Sequence, residues 1–271
     1  AAYVCFNRPM ALQMRALLPE SVVVETFHER ALAVWRAAHG APDFGDPQIF
    51  ARAETALLGA SCTPDRDLLV VDELQDLDAA WVEALRRAVV PGGQTWLLGD
   101  LAQALYPRPQ WTHPDAVRLT CPDNFRSPRR IVQTLQALGL CATPVVPRCP
   151  IDGDLPNFVT CAADDPGGLR KTADLVAGLL AGGVRPEQIV LLTLRGRDHS
   201  RLLQQTELAG QMLRRFSGFD AQGNALYTPG TLLAETVHRF KGQAAPVVVL
   251  TEMDFADLDA RLERLLFVAF T

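Results

Sequence analysis

The sequence predicts an α/β protein built from two parallel-sheet domains in tandem, and three observations carry that reading. Short apolar runs such as Leu68-Leu69-Val70-Val71 and Val247-Val248-Val249-Leu250 alternate with stretches of helical spacing. Strands covered by helices on both faces read as continuous apolar runs rather than as alternating ones. Polar or acidic residues follow two of the runs at once, as in Asp72-Glu73 and Gly99-Asp100, and the tips of parallel strands are where open α/β sheets meet ligands. The length of 271 residues suits about two domains of ordinary size. The boundary is expected near residue 118, giving domains over 1–118 and 119–271.

The chain opens on a short strand around Ala2-Tyr3-Val4-Cys5 and continues into a helix over 9–18. A second strand at 21–28 ends in Thr26, Phe27 and His28, and a helix follows through Arg36. A short helix at 47–58 leads to the strand at 68–71, and residues 78–89 have helical spacing with Trp81, Leu85 and Val89 on one face. Thr95-Trp96-Leu97-Leu98 is the next strand, and residues 117–120 read as a short one. Ser127 as N-cap and Pro128 at the first helical position start a helix that reaches about Leu138. The second domain then reads as a strand at 156–161, a helix at 168–180 stopped by Gly182-Gly183, a strand at 189–194 and a short helix at 201–209. A polar loop at 216–229 precedes the strand at 246–251, and residues 259–271 read as a helical approach to a last strand. No repeat or low-complexity tract is evident.

Hydrophobic residues make up 48% of the chain and charged residues 21%, enough apolar material for sizeable cores. No run reaches the roughly 20 apolar residues of a membrane-spanning helix, so the expectation is a cytoplasmic protein without membrane contact. The net charge of −5 argues against bulk electrostatic coating of nucleic acid but leaves room for a local basic groove. The six cysteines form no Cys-x-x-Cys pair and have no histidine at metal-ligand spacing, which points to reduced structural thiols.

Five motifs then follow in order: Asp-Glu-Leu-Gln-Asp at 72–76, Gly-Asp-Leu-Ala-Gln-Ala-Leu-Tyr at 99–106, Asn-Phe-Arg-Ser at 124–127, Thr-Val-His-Arg-Phe-Lys-Gly at 236–242 and Arg-Leu-Leu-Phe-Val-Ala-Phe-Thr at 264–271. Their order and content resemble motifs II to VI of superfamily 1 helicases, closest to the UvrD/Rep-like branch, across nearly the whole chain. The resemblance implies two RecA-like domains, the first without its N-terminal phosphate-loop strand, and a motor coupling ATP hydrolysis between them to strand movement. It implies ATP and Mg²⁺ as cofactors and single-stranded DNA, or partly single-stranded duplex, as partner.

By the same resemblance Asp72 holds Mg²⁺, Glu73 orients or deprotonates the attacking water, Gln103 senses the γ-phosphate, Arg126 reaches it from the second domain, and Gly242 belongs to the nucleotide site. These residue types suit that chemistry, since a hard cation takes carboxylate oxygen and a guanidinium grips phosphate in two places. Strand contacts are implied for Asn7, Thr26 and His28 in the first domain and for Thr236, His238, Arg239 and Lys241 in the second. Tyr106 or Trp111 is a candidate base-contacting ring, with plain packing as the alternative. Asn7 also reads as a turn residue, and His28 as a cap or a satisfied core histidine.

Two departures qualify the likeness. Relatives carry Leu-Glu after Lys-Gly, with the acid on the nucleotide sugar, whereas this chain has Gln243-Ala244. No Gly-x-x-x-x-Gly-Lys-Ser/Thr occurs, and the arginine expected after Thr271 is absent. The expectation is an internal piece of a longer protein that does not turn over ATP alone. A non-catalytic, helicase-derived nucleic-acid-binding or scaffolding domain is the alternative, and an unrelated α/β enzyme using Asp72 and Glu73 as acid and base is a third reading that leaves the later motifs unexplained.

Overall fold

A computed structural model describes residues 1–105, 111–141, 143–162, 164–220 and 224–271. The chain divides into two compact units, Ala1–Arg118 and Leu119–Thr271. Both are α/β with parallel sheets, with eight α-helices among the described residues, consistent with a RecA-like fold.

Unit 1 runs β1 (Ala2–Cys5), α1 (Arg8–Leu17), β2 (Val23–Thr26), α2 (Phe27–His39), α3 (Ile49–Gly59), β3 (Arg66–Val71), α4 (Ala79–Arg86) and β4 (Val89–Leu97). Its sheet has the order β2-β1-β3-β4 and is parallel throughout. Chain order therefore reverses between β1 and β3, and the crevice beyond the carboxyl ends of the strands at such a reversal is where open sheets bind ligands. A core lies against each face of the sheet, and β1 is buried along its whole length. Val4, Leu69, Val71, Phe27, Leu57 and Trp81 share one core, and Tyr3, Cys5, Ala11 and Val24 form the other. Burial pushes the Cys5 thiol up to about 12, and the protonated thiol donates to the Asn7 carbonyl.

Unit 2 contains β5 (Asp123–Asn124), α5 (Arg129–Ala137), β6 (Val146–Pro147), α6 (Leu169–Ala181), β7 (Ile189–Thr193), β8 (Glu207–Leu208), β9 (Gln211–Arg214), β10 (Phe216–Phe219), β11 (Ala225–Tyr227), β12 (Leu232–Thr236), α7 (Val237–Phe240), β13 (Val247–Thr251) and α8 (Ala260–Phe270). The main sheet has the order β13-β7-β12-β9-β8, with only the β8–β9 pair antiparallel. β7 lies inside the sheet and is buried along its whole length, which accounts for its unbroken Ile-Val-Leu-Leu run. Just past β13, the buried Glu252 accepts from Thr193 Oγ1 and Ser200 Oγ, both at 2.6 Å, and from the Arg201 amide at 2.6 Å. That carboxylate ties the ends of two neighbouring strands to the following loop.

Several local expectations are corrected. Residues 117–120 and 156–161 form no strand, and Val117, Leu119 and Phe158 are exposed: apolar character without a sheet neighbour does not make a strand. The expected helix at 201–209 is a single 3₁₀ turn, Leu202–Gln204, followed by β8. The expected polar loop at 216–229 contains the antiparallel pair β10–β11. Residues 259–271 hold no strand, because α8 is continuous from its Asp259 cap. The helix begun by Ser127-Pro128 takes Pro128 as its N-cap, while Ser127 is buried in the preceding turn. Val89 opens β4 instead of closing the face of α4.

Among the described residues no two cysteines form a disulfide. Among the described residues no helix is long and apolar enough to cross a membrane.

Candidate functional site

The tip of β3 is the first cluster. Asp72 leaves the strand with its amide on the Val4 carbonyl at 2.8 Å, so the sheet's own ladder fixes its position. Its Oδ1 accepts from the Glu73 amide at 2.8 Å, and its Oδ2 accepts a short hydrogen bond from the Tyr3 hydroxyl, which the β1–β3 register brings alongside. Burial, that hydrogen bond and the Asp72 charge push the Tyr3 hydroxyl well above the ordinary phenol range, so Tyr3 acts as a donor to the carboxylate. Glu73 has a left-handed backbone (φ 53°), a conformation that costs a non-glycine residue roughly 1–2 kcal/mol and recurs at functional sites. Gln75, fully buried, donates a short hydrogen bond to Glu73 and accepts from the Asp100 amide at 3.0 Å. Gly99 makes this approach possible: a Cβ there would come within 3.0 Å of both Gln75 Oε1 and the Leu74 side chain. Gln103 lies on the same loop, with its amide nitrogen 3.1 Å from Asp100 Oδ2.

These residues join the tips of β3 and β4 through Gln75, which the sequence reading left unassigned. Among the described residues no group of three or more His, Cys, Asp or Glu is arranged to enclose a metal ion. That donor set still fits Mg²⁺, which is usually held by one or two carboxylates together with nucleotide phosphates and water. A cavity elsewhere in unit 1, lined by Ala2, Glu25, Arg30, Arg66 and Leu69 among others, lies near the opposite, amino ends of β1 and β3 and takes no part in this cluster.

The second cluster is in unit 2. Asn124 Oδ1 accepts from the amides of Arg126 and Ser127 at 3.0 and 2.8 Å, a side-chain turn that projects Arg126 outward. The Arg126 guanidinium then donates to the Gln243 carbonyl at 3.2 Å, across 117 residues of sequence. Gly242 supplies the left-handed backbone (φ 84°) just before that carbonyl. Arg126 and Gly242, two of the expected nucleotide-site residues, are thereby neighbours.

The expected strand contacts sit on two strand-to-helix corners. In unit 1 Thr26 is the N-cap of α2: its hydroxyl accepts from the Glu29 amide at 3.1 Å while Glu29 accepts from the Thr26 amide at 2.8 Å. In unit 2 Thr236 caps α7, accepting from the Arg239 amide at 3.3 Å. Both threonines are buried, 4% and 5% exposed, so these hydroxyls are engaged in capping. Lys241 is also buried, at 6%. Asn7 is the partly exposed residue before α1 and makes no side-chain cap. The partly exposed His28 ring meets Phe6, Phe27, Phe50 and Trp81 edge to face. His238 and Arg239 are partly exposed, and Arg239 Nε is held by the buried Glu235 at 3.1 Å.

Trp111 packs against the unit 1 core, donates to Glu83 at 2.6 Å and carries the Arg86 guanidinium 4.9 Å over its ring. Tyr106 lies outside the described residues. Glu235 and the Glu-Thr-apolar-His recurrence at 25–28 and 235–238 escaped the sequence reading, although the repeated tetrad is visible in the sequence itself.

No curated protein matches the chain. Residues 231–271, which hold the Thr236 corner, Arg239, Gly242 and α8, match the family model of the UvrD-like helicase C-terminal domain. That match supports a relationship of this chain to the UvrD/Rep-like superfamily 1 helicases.

Proposed function

We propose that this chain serves an ATP-dependent, superfamily 1 single-stranded DNA translocase or helicase, acting on single strands or partly single-stranded duplex. The observation that carries the reading is the family match over the segment that contains Thr236 to Gly242. Mg²⁺-ATP, when bound, supplies the phosphoanhydride whose hydrolysis drives movement. In unit 1, Asp72 offers carboxylate oxygen for the cation with its orientation fixed by Tyr3 and the Glu73 amide. Glu73 orients or deprotonates the attacking water, with Gln75 restraining its carboxylate, and Gln103 serves the γ-phosphate. In unit 2, Arg126 contacts phosphate beside Gly242, and His238 and Arg239 face the strand. Asn7 and His28 are the corresponding contacts of unit 1.

A backbone phosphate cradle is not encoded in these residues, so the chain by itself is expected to release no phosphate from ATP. Strand-stimulated phosphate release that Glu73→Gln abolishes would refute that expectation. Binding to a fluorescent single-stranded oligonucleotide, followed by anisotropy at two salt concentrations on chain shown to be folded, tests the strand-gripping half. Salt-sensitive binding supports the motor reading. Folded chain that binds no strand favours the second reading, a non-catalytic helicase-derived scaffold, to which the Gln243-Ala244 departure already points.

A further inference from the structure

None of the described residues of the β10–β11 pair belongs to the buried cluster around β7 and β12, yet the pair collects three aromatic rings and three guanidinium groups. Phe216 meets Phe219 and Tyr227 edge to face, with ring centroids 5.0 and 6.1 Å apart. The Arg239 guanidinium lies 3.5 Å from the Phe216 ring centroid, and that of Arg197 lies 4.8 Å away while donating to the Phe216 carbonyl at 3.3 Å. Arg214 sits 4.9 Å over Tyr227. Phe219, by contrast, is 56% exposed, and the neighbouring Leu226 is exposed too.

An exposed apolar patch rimmed by charge marks an interaction surface, and here the rim is cationic. Arg197, Arg214 and Arg239 gather over the rings in a chain whose net charge is −5. The nearby acids are turned to local use: Glu235 is buried on Arg239, and Asp220 accepts from the Asn224 amide and side chain at 2.7 and 2.8 Å. Arginine held flat on a ring keeps a planar fork suited to phosphate, and an exposed phenyl ring suits an unpaired base. Arg239 also joins the hairpin to the Thr236 corner.

We propose that this hairpin is a base-stacking platform for an unpaired nucleic-acid strand. Phe219 stacks a base, Phe216 and Tyr227 fix the guanidinium groups, and Arg197, Arg214 and Arg239 meet the flanking phosphates. The proposal rests on the strand-binding reading above and extends it to a segment with no assigned role.

The test uses the full chain and a fluorescent oligothymidylate. Phe219→Ala is expected to weaken binding about fivefold or more with an unchanged salt slope, and Phe219→Leu to weaken it similarly, because the π face rather than apolarity is lost. Phe219→Trp retains binding. An abasic strand should bind the wild-type chain and Phe219→Ala alike. If the wild-type chain binds strand in an Arg239-dependent way but Phe219→Ala and Phe219→Leu bind as tightly, the platform is refuted and the strand-binding reading survives. If Phe219→Leu alone retains binding, the surface is a plain apolar contact of the kind a protein partner uses, and stacking is overturned. A folded wild-type chain that binds no strand overturns both.

Discussion

The corner where β2 enters α2 and the corner where β12 enters α7 share a sequence, Glu-Thr-apolar-His, and a geometry, but differ in charge three residues past the cap. Both threonines have extended backbone and accept from the amide at that position. In unit 1 the position is Glu29, which closes a capping box and gathers Arg15 at 2.7 Å and Arg8 at 3.4 Å. An acid there suits the positive end of a helix. In unit 2 it is Arg239, which falls in the last turn of the four-residue α7, is held by Glu235 and lies over Phe216. One corner closes as a capping box, and its counterpart presents a cation.

The largest expected contrast lies in the two glutamates that open the tetrads. Glu235 is buried and accepts from the Thr236 amide at 2.9 Å and from Arg239, so Glu235→Ala strands buried donors and should cost about 2–4 kcal/mol in urea unfolding. Glu25 has only a loose 3.9 Å pair with Arg30, and burial pushes its carboxyl upward. Glu25→Gln should cost less than about 1 kcal/mol. Equal losses at the two sites would erase the distinction.

A smaller effect separates the caps. Thr26→Ala breaks a reciprocal capping box and should cost about 1–2 kcal/mol, whereas Thr236→Ala removes a single longer hydrogen bond ahead of a four-residue helix and should cost less than about 1 kcal/mol. The smallest is a pH effect confined to unit 1. Burial alone would raise the Glu29 carboxyl, but the Thr26 amide, Arg15 and Arg8 outweigh it and hold the group below the ordinary value of 4.5. The folded state therefore favours the carboxylate. Its contribution is complete above about pH 4.5 and fades as pH falls through the lower folded value. Urea midpoints taken between pH 3 and 6 should fall less steeply for Glu29→Gln than for the wild-type chain.

How much of this was legible in the sequence follows from which contacts are local. The strand β7 announces itself as an apolar run because both its faces are covered, and β3 and β13 carry the same apolar signal although β13 lies at the edge of its sheet with Val248 exposed. The β10–β11 hairpin does not, since its aromatic residues alternate with glycine and polar residues and pack outside the core. In the final helix Leu262, Leu265 and Leu266 fall on a helical stripe, a spacing that continues through the residues expected to form a last strand. At the candidate site, Asp72 and Glu73 stood out as acids on a strand tip. Their supports did not, since Tyr3 reaches Asp72 across 69 residues through β1–β3 register and Arg126 reaches Gln243 across 117. Residue type is written in the sequence, whereas positioning arises only when the sheet assembles.

The most direct test of the corner contrast is the salt dependence of oligothymidylate affinity for the wild-type chain, Arg239→Gln and Glu29→Gln, each shown to be folded. Arg239→Gln is expected to lose about tenfold in affinity at low salt and to flatten the log–log slope by roughly 0.7, the share of one phosphate contact on a single strand. Glu29→Gln should leave both within about twofold of the wild type. Wild-type affinity and slope in Arg239→Gln would contradict the assignment of the unit 2 corner to the strand.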